Sequence, residues 1–212
     1  MKKKLLLSLL GLGSFYTANA QVADSTKTAP PVVENVADNY KPVRFLLGGA
    51  FEFGGDEVGT VTFTNGDEQS IRAGQGVAIA VGAEFQFRKL EQLRLRATVG
   101  YKYVTTAADN VHIRLTRVPL HFTANWMATE KLRFGAGIVK HQAVKLNTDG
   151  LKDMNGNSGN ATYDASTGAI FEIAYSGIGI SYTIMDYTDK DNFTYSANSF
   201  GITISGVLPK RK

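Results

Sequence analysis

The chain has 212 residues, with 23 basic and 19 acidic side chains and no cysteine. Without cysteine, this sequence has no disulfide, thiol nucleophile, cysteine metal site or lipoprotein anchor. Three lysines lie in the first four residues, so the chain from Gln21 onward has 20 basic and 19 acidic residues and a net charge of +1, which does not favour nucleic-acid binding.

The first twenty residues predict a cleavable secretory signal peptide. Residues 1–4 are a positively charged start, residues 5–15 are a short apolar run, and Ala18-Asn19-Ala20 is a small-x-small cleavage site before Gln21. The apolar run is shorter than the roughly 20 residues that a transmembrane helix needs. We therefore predict export, with residues 1–20 removed.

Residues 21–43 are polar, contain three prolines and show no periodicity, which predicts a periplasmic N-terminal linker. From Arg44 onward, apolar and polar residues alternate with a period of two, as in strands with two different faces. The pattern predicts eight strands and a basic tail at 209–212. The predicted strands are 44–53, 76–87, 93–104, 112–127, 132–145, 162–175, 178–187 and 195–208.

One face of these strands is apolar, and the other carries charges and small residues. In 76–87, for example, Val77, Ile79 and Val81 alternate with Ala78, Ala80 and Gly82. A membrane barrel turns its apolar face to lipid, whereas a soluble barrel of lipocalin type encloses it. Because glycines and charges of both signs share the polar face, we predict a narrow interior and a lipid-facing exterior. The charges predicted to face the interior are Glu52, Glu84, Arg94, Arg96, Lys102, Arg133 and Glu172.

The fourth strand contains an apparent phase break. Ile113 and Leu115 are at odd positions, whereas the later apolar residues, from Val118 onward, are at even ones. One inserted residue moves every later side chain to the opposite face, so we predict a β-bulge at Thr116-Arg117. Pro119 fits this interpretation, because proline within a sheet is tolerated mainly beside bulges.

The connections between the predicted strands alternate between long and short. The first, third, fifth and seventh are the longer ones, such as 54–75 and 146–161, and the others have two to five residues. Outer-membrane barrels have short periplasmic turns, longer external loops and an even number of strands. The sequence therefore predicts an all-β fold, an eight-stranded antiparallel up-and-down transmembrane β-barrel over 44–208, with both termini in the periplasm.

The pattern resembles the small outer-membrane β-barrel proteins grouped with OmpA-type transmembrane domains. The residues that carry the resemblance are the signal ending at 18–21, the Arg117-Val118-Pro119-Leu120 segment and Gly135-Ala136-Gly137. The resemblance covers about 44–208. It implies an eight-stranded fold in the outer membrane, among its lipids and lipopolysaccharide, and assembly by the barrel-insertion machinery with periplasmic chaperones.

The interior charges are the candidate functional residues. An eight-stranded barrel is only wide enough for its interior to be filled by side chains. We therefore expect Glu52, Glu84 and Glu172 to pair with Arg94, Arg96 and Arg133 as a structural plug. Replacing Arg94 or Arg96 with alanine is expected to cost about 3 kcal/mol if the site is fully buried. A narrow porin-like channel or carrier for small solutes is the alternative function.

We expect no catalytic residues, cofactor or metal site. A pairing sum of about 259 between the fourth and fifth strands places His141 opposite Val118, with His112 and His141 toward the external rim and His121 in the lumen. A lipid-modifying enzyme would need a nucleophile and base within hydrogen-bond reach, and no convincing serine and acid accompany these histidines. Acidic loops such as 149–157 fit ordinary turn chemistry.

Overall fold

The computed structural model describes residues 40–62, 68–106, 113–150 and 159–209. The predicted signal peptide, all but the last four residues of the predicted linker 21–43, and residues 210–212 of the predicted tail lie outside these ranges. No helix within the described residues is long and apolar enough to span a membrane.

The described residues form antiparallel strands joined by turns and irregular segments. The strands are β1 (Val43–Phe53), β2 (Glu57–Thr62), β3 (Glu68–Arg72), β4 (Gly76–Phe87), β5 (Leu90–Thr105), β6 (Arg114–Met127), β7 (Leu132–Asn147), β8 (Ala161–Ala165), β9 (Thr167–Tyr175), β10 (Ile178–Ile184), β11 (Asp186–Thr188), β12 (Thr194–Ser196) and β13 (Ser199–Leu208).

Eight of these strands close a barrel. Each pairs antiparallel with the next in the order β1, β4, β5, β6, β7, β9, β10 and β13, and β13 pairs with β1. Consecutive barrel strands are neighbours, which is up-and-down topology. The predicted fold class is therefore confirmed. The end with residues 88–89, 128–131 and 176–177 is called the turn end, and the opposite end, with the long connections, the loop end.

The barrel has an apolar outside and a polar inside. Outward residues such as Phe45, Ile79 and Ile202 are 47–67% exposed, while Glu84 and Lys102 are buried inside. Glycines bring the backbones together: a Cβ added to Gly82 would lie 2.0 Å from the backbone oxygen of Ala97 on the next strand. The apolar residues thus form an outer band around a tightly packed polar interior.

A β-bulge occurs at the predicted position along the fourth strand, but the neighbouring strand carries it. The register between β6 and β7 shifts between Thr116 and Val118, which pair with Lys145 and Gln142. One β6 residue, Arg117, therefore lies opposite two β7 residues, Ala143 and Val144. The additional residue belongs to β7, where Ala143 has a φ of 50°. The alternation in β7 changes there, with His141 buried before the bulge and Val144 and Leu146 buried after it.

The strand β6 has no phase break. Ile113, Leu115, Arg117 and Pro119 are all buried at odd positions, so Thr116-Arg117 inserts no residue into this strand. The apparent break arises because the apolar and polar faces exchange sides beyond the outer band. There, the outward positions of β7 are polar, and the hydrophobic side chains of β6 point inward and form a core.

That core is an apolar cluster at the loop end. It is formed by inward residues of β6 and β7, by the β2–β3 hairpin and by β8, β11 and β12, which extend the barrel wall beyond the band. Its members include Ile71, Ile113, Leu115, Val144, Leu146, Tyr163 and Tyr187. The cluster covers the loop end of the charged interior.

Leu115→Ala tests the corrected direction of β6. Leu115 is fully buried in the apolar cluster, so its truncation is expected to lower the free energy of unfolding by about 2–5 kcal/mol. The matched control is Leu47→Ala, because Leu47 is 53% exposed on the outer band. Unfolding of both variants in detergent measures the difference. Equal losses would contradict the inward orientation of Leu115.

Candidate functional site in the barrel interior

Three arginines surround one carboxylate near the turn end of the interior. Glu84 on β4 is fully buried and forms ion pairs with Arg44 of β1 and with Arg94 and Arg96 of β5. The Arg96 Nη2–Glu84 Oε2 distance is 2.7 Å, and the Arg94 Nη1–Glu84 Oε1 distance is 3.5 Å. Arg96 also donates to the Ser205 hydroxyl of β13 at 3.3 Å, so this group links strands on several sides of the barrel.

A second ion pair joins β7 to β9. Arg133 Nη1 lies 2.6 Å from Glu172 Oε2, and it donates to Asn125 Oδ1 of β6 at 2.6 Å. The other carboxylate oxygen of Glu172 accepts a 2.6 Å hydrogen bond from the Thr203 hydroxyl. Arg133 and Glu172 therefore stabilise each other through specific hydrogen bonds.

Replacing Arg133 with alanine is expected to lower the free energy of unfolding more than replacing Arg94 with alanine. After Arg133→Ala, the remaining hydrogen-bond partner of Glu172 among the described residues is the Thr203 hydroxyl, and we expect the free energy of unfolding to fall by about 3 kcal/mol. After Arg94→Ala, Glu84 still has Arg44 and Arg96, so the loss is smaller. The loss of about 3 kcal/mol that the sequence analysis expected for Arg94→Ala or Arg96→Ala assumed that each carboxylate had a single cationic partner. Denaturant unfolding in detergent compares the two variants, and a larger loss for Arg94→Ala would contradict this ranking.

The third group lies nearer the loop end. Lys102 Nζ forms an ion pair with Glu52 and donates to the backbone oxygen of Gly74 at 2.7 Å. Glu52 also accepts a 2.9 Å hydrogen bond from the Ser199 hydroxyl. Opposite Lys102 in the sheet is Arg117, which is fully buried and donates to the backbone oxygen of Gln75.

All six residues of the predicted network lie inside the barrel, in two separate groups and one pair with Lys102. Glu84, Arg94 and Arg96 form one group, Arg133 and Glu172 another, and Glu52 pairs with Lys102. The interior network contains three more cations. Lys102 was predicted to face the interior but was given no partner. Arg44 was recognisable from its position on the polar face, and Arg117 was hidden by the placement of the bulge on the fourth strand.

A cavity of about 100 Å³ lies within the interior. This space is large enough to hold water. Its wall combines charged and imidazole groups with hydroxyls. The polar residues that line it are Glu52, Arg96, Thr98, His121, Thr123, Glu172, Ser181, Thr203 and Ser205.

The histidines differ from the sequence-based expectation in one position. His121 lines the cavity, as expected for the lumen, and His112 lies outside the described residues. His141 pairs with Pro119 rather than Val118, because the sum of paired residue numbers is 260. It lies toward the loop end, as expected, but its side chain is buried beneath the loop-end cluster, where a ring nitrogen hydrogen-bonds to the Tyr187 hydroxyl.

Asp189, one of the described acidic residues of the loops, takes part in a local turn. Asp189 Oδ1 accepts hydrogen bonds of 2.9 Å from the backbone amides of Asp191 and Phe193. Asp153 lies outside the described residues. Beyond the apolar band, burial of the phenol raises the pKa of Tyr163 to about 12, with further contributions from Tyr195 and Asp189. The hydrogen bonds of Asp189 match ordinary turn chemistry.

Comparison with known proteins gives similarities to solved structures only. No family model matches the chain, and no curated protein matches it. Among solved structures, the chain is similar to the crystal structure of Neisserial surface protein A (NspA), at 10% sequence identity and a TM-score of 0.40. The match covers 77% of this chain and 97% of that one.

Proposed function

We propose that the protein is an integral outer-membrane β-barrel with a structural or surface-interaction role. The observation that carries the proposal is the distribution of side chains. Large apolar residues are exposed on every barrel strand, whereas most of the charged residues of the same strands are buried inside. The exposed charges of these strands are Glu91, Arg114, Lys140 and Lys145. Large exposed apolar surfaces on proteins mark sites of contact with a membrane or another protein. A band that runs around the whole barrel fits lipid on all sides.

The proposed orientation places the loop end outside the cell and both termini of the mature chain in the periplasm. The short turns and the long connections support it, since outer-membrane barrels have long external loops. In this orientation the outer band contacts outer-membrane lipid and lipopolysaccharide. Assembly by the barrel-insertion machinery and periplasmic chaperones is part of the proposal, together with export through the signal peptide at 1–20.

The interior supports a closed lumen. Ion pairs cross it near the turn end, Glu52 and Lys102 meet nearer the loop end, and the apolar cluster lies beyond them. Side chains therefore occupy successive levels along the barrel axis. We propose that the interacting surface is formed by the loop-end segments rather than by a solute pathway.

A narrow channel or carrier for small solutes is the second candidate, and the interior cavity of about 100 Å³ favours it. Planar-bilayer recordings of the refolded protein distinguish the two functions. Discrete conductance steps would support the channel. A folded protein without conductance would support the closed barrel.

A lipid-modifying enzyme is a third possibility, for which the described residues offer little support. The His141 ring nitrogen is engaged by the Tyr187 hydroxyl beneath the apolar cluster, away from the outer band. Mass spectrometry of lipid A from cells that lack or overproduce the protein tests this function. A mass change that depends on the protein would contradict a non-enzymatic role.

Cell fractionation with heat-modifiable gel migration tests the main proposal. We expect the protein in the outer-membrane fraction, with a different apparent mass before and after boiling because the closed barrel resists detergent until heated. Release with soluble periplasmic proteins by osmotic shock would contradict the membrane location.

A further inference from the structure

Arg117 is a buried cation that pairs with no carboxylate among the described residues. The side chain is fully buried, and its Nη2 donates to the backbone oxygen of Gln75. Its Nε and Nη1 atoms are buried without a hydrogen-bond partner. A buried charge is costly unless it is paired and hydrogen-bonded, so this guanidinium lacks the acceptors that its burial requires.

The surroundings of Arg117 contain more cations than anions. Lys102 lies opposite it in the β5–β6 register and is buried too. Glu52 is the carboxylate of this group, and it is already engaged by Lys102 and the Ser199 hydroxyl. Two positive charges therefore share one negative charge, and one positive charge remains without a counter-charge.

The same imbalance extends through the described interior. Its three carboxylates are Glu52, Glu84 and Glu172, and its six cations are Arg44, Arg94, Arg96, Lys102, Arg117 and Arg133. Arg44 Nε and Arg133 Nη2 are also buried without a hydrogen-bond partner, whereas no described carboxylate oxygen is. The interior is thus short of acceptors rather than of donors.

A notch of about 290 Å³ at the loop end of β1, β4 and β5 reaches the protein partners of both cations. Its lining includes Glu52, which binds Lys102, and Gln75, whose backbone oxygen binds Arg117. Gly76 lies between them in the lining, where an added Cβ would be 2.9 Å from the Tyr103 backbone oxygen and 3.4 Å from Lys102 Cε. The notch thus lies next to Glu52 and Gln75, the contacts of Lys102 and Arg117, and neither cation lines it.

We infer that Arg117 and Lys102 hold a small inorganic anion of halide size inside the barrel. The two unpartnered N–H groups of Arg117 donate to the anion, and Lys102 adds a second positive charge. The bound anion supplies the missing counter-charge and thereby stabilises the folded state. This inference goes beyond the proposed function and depends on the interior geometry rather than on the membrane location.

Thermal unfolding in detergent, at equal ionic strength in sodium chloride or sodium gluconate, tests the inference. Gluconate is too large for a halide site. Chloride is expected to raise the unfolding midpoint of the full chain by several degrees, saturably with concentration, because a ligand bound only by the folded state stabilises it. The fluorescence of the single tryptophan, Trp126, and the folded gel band report unfolding.

Arg117→Gln is expected to abolish the difference between chloride and gluconate. The matched control is Arg114→Gln on the same strand, because the Arg114 side chain is 41% exposed and forms an ion pair with Asp149. The control is expected to keep the full chloride effect. A wild-type midpoint that is the same in both salts would overturn the inference, as would an undiminished chloride effect in Arg117→Gln.

A crystal of the wild-type protein grown in bromide gives a second test that does not require the variant to fold. An anomalous bromide peak within hydrogen-bond distance of the Arg117 guanidinium is expected. Ordered bromide only elsewhere, or none, would overturn the inference.

Discussion

Glu84→Gln is expected to lower the free energy of unfolding by about 3–5 kcal/mol. The carboxylate of Glu84 is fully buried and forms ion pairs with Arg44, Arg94 and Arg96. Its neutralisation therefore removes the negative charge that these three arginines share. The amide keeps nearly the same volume, and the loss therefore reports charge rather than packing. Urea unfolding in detergent, followed by Trp126 fluorescence, measures it.

Two controls make this measurement specific. Glu130→Gln removes a carboxylate in the exposed 128–131 turn and is expected to change stability by less than about 0.5 kcal/mol. The double variant Glu84→Gln/Arg96→Gln is expected to lose less than the sum of the two single losses, by about 0.5–3 kcal/mol, because the charges interact. Additive losses would show that Glu84 and Arg96 are not coupled.

Val99→Arg is expected to lower stability in lipid by about 2–4 kcal/mol. Val99 is 45% exposed near the middle of β5, where its neighbours in the sheet are Val81 and Leu120. An arginine there would lie in the centre of the outer band, and the bilayer midplane penalises it most. Folding into lipid vesicles, with unfolding by urea, gives the value.

Gln142→Arg is the matched control for depth. Gln142 is exposed on the outer wall beyond the apolar band, and an arginine near the interface costs about 0–1 kcal/mol. The two variants also separate a membrane barrel from a soluble one. If water surrounded the barrel, Val99→Arg would be harmless, and equal behaviour of both variants in lipid would contradict the proposed membrane position.

The sequence predicted the strand pattern well because that pattern is local. Alternation in 76–87 predicts which side of β4 faces outward, and the structure has β4 at Gly76–Phe87, with Val77 and Ile79 outside and Glu84 inside. The bounds of β1 and β6 also agree with the predicted strands to within two residues. Each depends on a few neighbouring residues and on a period of two.

The sequence did not predict the loop end correctly because the rule that apolar residues face outward does not hold along the whole strand. Ile113 and Leu115 have the residue type expected of the outer band, but they are buried in the apolar cluster. Ala143, which carries the β7 irregularity, has no sequence signal that distinguishes it from other alanines. Its positive φ was visible only in the structure.

The sequence by itself determined the number of barrel strands, the face that each presents within the outer band and most of the charges that face the interior. Tertiary structure decided which charges meet: three arginines converge on Glu84, one pairs with Glu172, and Arg117 is left without a carboxylate among the described residues. The physical reason is that alternation is set within each strand. Contacts across the interior depend instead on the stagger at which eight strands close into a barrel.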